Sequence, residues 1–165
     1  MEGLLKLPVQ LYVLGGGQPE YVRIFEEAVA GHPDQVYLNT DYTDLMAKKI
    51  YAGCDAILMP SRFEPCGLSQ MMALRYGSVP VVRETGGLKD TVDIYGKSDK
   101  ATGFGFEECS PDALLACLET LCRVYQKEPD VWEEMTERGM RKNYSWKASC
   151  RKYESLYKKL LKEKK

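Results

Sequence analysis

Apolar positions along this chain alternate between two spacings. Short, nearly continuous apolar runs in "PVQLYVLGGG", "QVYLNT", "DAILMP", "SVPVV" and "ATGFGFEE" read as five buried strands. Between them, apolar residues recur three and four apart, the helical spacing. "PEYVRIFEEAVAG" sets Tyr21, Ile24, Phe25, Ala28 and Val29 on one face and closes at Gly31. "TDLMAKKIYAG" and "GLSQMMALRYG" stop at Gly53 and Gly77, and "TGGLKDTVD" supplies a short turn of helix. Ser110 caps a longer helix with Pro111 at its first position, and Leu114, Cys117, Leu118, Leu121, Cys122 and Tyr125 form its stripe. Two more helices finish the chain. The last carries Trp146, Cys150, Tyr153, Leu156, Tyr157 and Leu160 on one side.

Strands alternating with helices imply right-handed crossovers and an α/β fold built on a doubly wound parallel sheet. A length of 165 residues fits one domain. The helices from about residue 110 to 162 are expected to pack on the sheet. Ligands of such sheets bind beyond the carboxyl ends of the strands. Here four unusual loops each follow a strand: residues 15–17, 41–44, 61–67 and 84–87. They are expected to gather on one rim.

Each loop has chemistry to offer. Gly15, Gly16 and Gly17 let backbone approach an anion, or simply make a tight turn; their spacing is not the dinucleotide fingerprint. Gly67, Leu68 and Ser69 open a helix whose free N–H groups, with the Ser69 hydroxyl, suit a phosphate; Ser69 is alternatively a helix cap. Glu64, held extended by Pro65, suits recognition of hydroxyls such as those of a sugar. Its alternative is an ion pair with Arg62 or Arg83.

Composition excludes more than it assigns. No apolar stretch approaches a membrane span, and "MEGLLKLPVQ" lacks the apolar core of a signal peptide, so an interior location is the expectation. The six cysteines include no Cys-x-x-Cys pair, and the one histidine, His32, sits in a polar turn. A zinc site and histidine-based chemistry are therefore not expected. Residues 138–165 carry eleven Lys or Arg against two Glu, while the remainder carries twelve against twenty-two acidic residues. The basic tail is expected to be a solvated helix face folded over an acidic body that repels nucleic acid.

"PSRFEPCGLSQMMALRYGSVPVVRETGGLKDTV", with "YAGCDAILMP" before it, "ATGFGFEE" after it and "YSW" near the last helix, resembles the C-terminal domain of bacterial glycogen synthases and plant starch synthases. These are retaining glycosyltransferases of the GT-B fold, and the likeness runs from about Leu7 to Leu160. The resemblance implies that Glu64 holds hydroxyls of a donor glucose as the catalytic-site glutamate. It implies that Cys66, Gly67 and Leu68 donate N–H bonds to sugar and phosphate, with Ser69 near the distal phosphate. Tyr42 matches the aromatic that stacks on adenine, and Gly15 and Gly17 match glycines lining the nucleotide. The implied reaction moves glucose from ADP-glucose to an α-1,4-glucan without cofactor or metal. The implied location is the bacterial cytoplasm, or a plastid in a plant or alga.

Departures accompany the likeness. Many related enzymes carry a second glutamate where this chain has Met72, and many carry Thr where it has Ser69. The upstream strand and loop that hold an Arg and a Lys for the diphosphate are not among these residues, nor is the N-terminal GT-B domain. The chain is expected to lack its domain's first strand. Rival readings are a non-catalytic nucleotide-sugar-binding or scaffolding module, and a thiol enzyme using Cys66.

Overall fold

The computed structural model describes residues 1–163. Its elements follow the expected alternation, preceded by a short helix α1 (Glu2–Leu5) that periodicity does not predict. Strands β1 (Leu11–Leu14) and β2 (Val36–Asn39) flank α2 (Pro19–Gly31), and α3 (Asp44–Gly53) leads to β3 (Ala56–Met59). Helix α4 (Ser69–Tyr76) connects β3 to β4 (Val79–Arg83), and α5 (Gly86–Thr91) leads toward β5 (Phe104–Phe106). Helices α6 (Pro111–Lys127), α7 (Pro129–Arg141) and α8 (Trp146–Glu163) complete the chain.

Every strand pairing is parallel, as the helical crossovers require. The strands form two sheets, β1–β2 and β3–β4–β5. β1 and β3 do not pair with each other. Between the two sheets opens a cleft of about 980 Å³, bordered by Leu11 and Tyr12 of β1, Ala56 and Leu58 of β3, Ile50 of α3 and Leu121 of α6.

The core sits around β4, whose Val79, Val81 and Val82 are all but inaccessible. Successive residues of a strand point to opposite faces. Val79 and Val81 accordingly join Phe104, Phe106, Leu118, Leu121 and Met135 beneath α6 and α7, while Val82 packs with Leu88, Val92 and Ile94 on the other side. Ser110 Oγ accepts the N–H of Ala113 at 3.2 Å, starting α6 where the sequence places it.

Two expectations need correction. Helices α6 and α7 cover the sheet, but no residue of α8 is buried, and Trp146 is 82% exposed. Both faces of β4 are already covered by other elements. The face of α2 is also narrower than its spacing suggests: it meets β2 through Ala28 and its half-buried neighbours, and leaves Tyr21 and Ile24 exposed.

Candidate functional site

The loop between β3 and α4 is strapped at both ends. Arg83, the last residue of β4, donates from Nη1 to the carbonyls of Arg62 (2.5 Å) and Ser61 (3.4 Å) and from Nε to that of Glu107 (3.1 Å). Further along, the Gly87 N–H donates to the Glu64 carbonyl at 3.0 Å. A Cβ at position 86 would fall on that carbonyl, and one at 87 on the Cys66 carbonyl. The glycine pair is what allows the two loops to touch. Of the four loops expected on one rim, those of residues 61–67 and 84–87 thus meet directly.

Arg83 is committed to three carbonyls, and among the described residues neither it nor Arg62 forms the ion pair that was the alternative for Glu64. Its half-buried carboxylate has no salt-bridge partner among the described residues. Beyond it, Gly67 takes φ 72°, the left-handed region open to glycine. The N–H groups of Cys66, Gly67, Leu68 and Ser69 donate to nothing among the described residues. Leu68 occupies the cap position of α4 without a side-chain hydrogen bond, so Ser69 is the first residue of the helix rather than its cap. A row of undonated N–H groups at a helix entrance is electropositive.

Sequence reasoning missed Gln70. It is wholly inaccessible to solvent, and its Nε2 donates to the carbonyls of Cys66 and Gly67, each at 3.0 Å, and to Thr91 Oγ1 at 3.1 Å. Thr91 Oγ1 in turn donates to the Gly87 carbonyl at 2.6 Å. The available signal was a polar residue three and four positions before buried Ala73 and Leu74, on the inward side of α4.

The other candidates stand at the carboxyl ends of β1 and β2. Gly15 extends the ladder, donating its N–H to the Asn39 carbonyl at 2.9 Å, with φ 128°. Gly17 faces open space. Asn39 Oδ1 accepts the Asp41 N–H at 2.9 Å, and Thr43 Oγ1 caps α3 by accepting the Met46 N–H at 3.2 Å. Tyr42 is presented between these two turns, 62% exposed. The structure therefore gathers the candidates in two groups, Gly15, Gly17 and Tyr42 on one sheet and Glu64 to Ser69 on the other. No hydrogen bond among the described residues joins the groups.

Charge near the rim is balanced by Lys97. It bonds both oxygens of Glu84 (2.9 and 3.1 Å), whose side chain is only 7% exposed, and Glu107 at 2.5 Å. The Glu107 bond chiefly, then Glu84, raises the Lys97 pKa, and Lys97 holds the Glu107 carboxyl below its usual range. Cys66 is exposed and donates its thiol only to the Gly67 carbonyl, at 3.6 Å; no base adjoins it to support thiol chemistry. His32 is a solvated cap whose N–H closes α2 by donating to the Ala28 carbonyl at 2.9 Å. Among the described residues, no three His, Cys, Asp or Glu side chains cluster to hold a metal, and no helix is long and apolar enough to cross a membrane.

Comparison with known proteins identifies the family. The glycogen synthase of Syntrophotalea carbinolica is 46% identical over 159 residues, covering 96% of this chain and 33% of that protein. The glycogen synthase of Lachnospira eligens is 47% identical over 158 residues, covering 95% and 33%. The chain thus spans about a third of the length of the curated relatives it matches. The catalytic domain of starch synthase IV from Arabidopsis thaliana, solved bound to ADP and acarbose, superposes with a TM-score of 0.82 at 35% identity, covering 94% of this chain and 33% of that one. Sucrose-phosphate synthase from Thermosynechococcus elongatus, 21% identical with a TM-score of 0.66, shares the fold. The family model for group 1 glycosyl transferases matches residues 2–123. With most of its length inside that match and its fold matching part of a GT-B catalytic domain, the chain belongs to the group 1 glycosyl transferases.

Proposed function

We propose that this chain is the donor-binding domain of a glycogen or starch synthase, which moves glucose from ADP-glucose to the end of an α-1,4-glucan with retention at the anomeric carbon. The observation that carries the reading is the unpaired Glu64 carboxylate beside four consecutive undonated N–H groups. A carboxylate suits sugar hydroxyls, and the N–H row, with the Ser69 hydroxyl, suits the diphosphate. Tyr42 stacks on the adenine, and Gly15 and Gly17 leave room for the nucleotide. Support comes from the glycogen synthase relatives and from the starch synthase structure bound to ADP.

Retention needs no protein nucleophile when the diphosphate leaves and the acceptor hydroxyl enters on the same face. The domain then acts by positioning and by stabilising charge on the leaving diphosphate. The Arg and Lys for the diphosphate belong to an upstream strand and loop of the same domain, and further donor and acceptor contacts to the N-terminal domain. On its own, this chain binds nucleotide without appreciable glucan elongation.

Calorimetric titration with ADP, UDP and ADP-glucose tests the reading. ADP binds in preference to UDP, and Glu64→Ala weakens ADP-glucose more than ADP. Absence of ADP binding, or a Glu64→Ala chain that treats both ligands as the parent does, overturns it.

A further inference from the structure

Gln70 is a polar side chain in a place where Leu or Met would cost less. It is fully buried, and its Oε1 accepts no hydrogen bond among the described residues. The orientation of the amide is set by its neighbours: two carbonyls face one end, so that end is the nitrogen. Two Nε2 hydrogens serve three acceptors, and those acceptors lie on two different segments.

Followed around, the bonds close a ring. Gln70 Nε2 donates to the Cys66 carbonyl and to Thr91 Oγ1; Thr91 Oγ1 donates to the Gly87 carbonyl; the Gly87 N–H donates to the Glu64 carbonyl. The ring ties the Glu64 loop, the start of α4 and both ends of α5. It also sets direction. A peptide unit whose carbonyl points inward to Gln70 must point its N–H the opposite way. With the Cys66 and Gly67 carbonyls drawn into the core, the N–H groups of Gly67 and Leu68 are turned outward.

From this geometry we infer that Gln70 is a positioning residue, which orders residues 66–68 so that the Gly67 and Leu68 N–H groups face the diphosphate. It touches no ligand itself. The inference rests on the reading of that loop as the diphosphate site. Fit at the same point is tight: a Cβ at position 67 would lie 2.5 Å from Gln70 Oε1.

The test uses the 165-residue chain, ¹⁵N-labelled, with Gln70→Leu and the milder Thr91→Val. Two quantities are read: backbone order of residues 66–68 from ¹⁵N relaxation, and affinity for ADP and for adenosine. Both variants are expected to loosen residues 66–68. Gln70→Leu is expected to weaken ADP about tenfold, the scale of a charge-assisted hydrogen bond, while adenosine binding holds. A role in stability alone would move both ligands together, and that result overturns the inference. So do unchanged order and affinity in folded variants, or failure of both variants to fold. If the loop loosens but the parent chain binds no ADP, the ordering role of Gln70 stands and the proposed function falls.

Discussion

The backbone N–H of Gly87 and the backbone carbonyl of Glu64 meet at 3.0 Å, although they stand on loops that follow different strands. That bond holds the carboxylate-bearing loop against the start of α5. Gly87→Ala places a methyl group on the Cys66 carbonyl. Overpacking of this kind costs about 1–3 kcal/mol. Urea unfolding is expected to show that loss, together with weakened ADP binding; an alanine chain with parental stability and affinity contradicts it.

Tyr42 stands apart from the loop of residues 64–69 and is widely exposed. Base stacking on an aromatic ring is worth about 1–3 kcal/mol. Tyr42→Ala is expected to weaken ADP and adenosine alike, by about tenfold. Fluorescence titration checks it, and the equal loss distinguishes this residue from Gln70.

Cys117 gives the protein an alkaline weakness. Burial first, then the Glu84 charge, pushes its thiol from an ordinary 9.0 up to about 11. The folded chain therefore holds this proton more tightly than the unfolded one. The stabilisation is whole below pH 9 and is lost as pH rises toward 11, amounting to about 2 kcal/mol there. Melting temperatures from pH 8 to 11 should fall, and more gently in Cys117→Ala than in the parent.

Ser110 accepts the Ala113 N–H at the start of α6, the helix that covers β4 and β5. Removing such a cap costs about 1 kcal/mol. Ser110→Ala is expected to lose that much in urea unfolding with unchanged ADP affinity.

What could be read from sequence was what depends on near neighbours. Ser110 and Pro111 announce α6 because a cap and its helix are adjacent, and "SRFEPCGLSQ" marks the rim because glycine and proline shape their own loop. Gln70 was hidden because Thr91, its partner, lies 21 residues away. The pattern of α8 shows an apolar side but not what meets it. Apolar runs likewise identified five strands without saying that β1 and β3 would remain unpaired.

That unpaired boundary bears on how the molecule comes apart. Backbone ladders transmit cooperativity, and none crosses from β1–β2 to the three-stranded sheet. A two-stranded ribbon is marginal by itself. Opening on the Tyr42-bearing side can therefore proceed while the carboxylate-bearing side remains native, giving two foldons of unequal protection rather than one all-or-none melt.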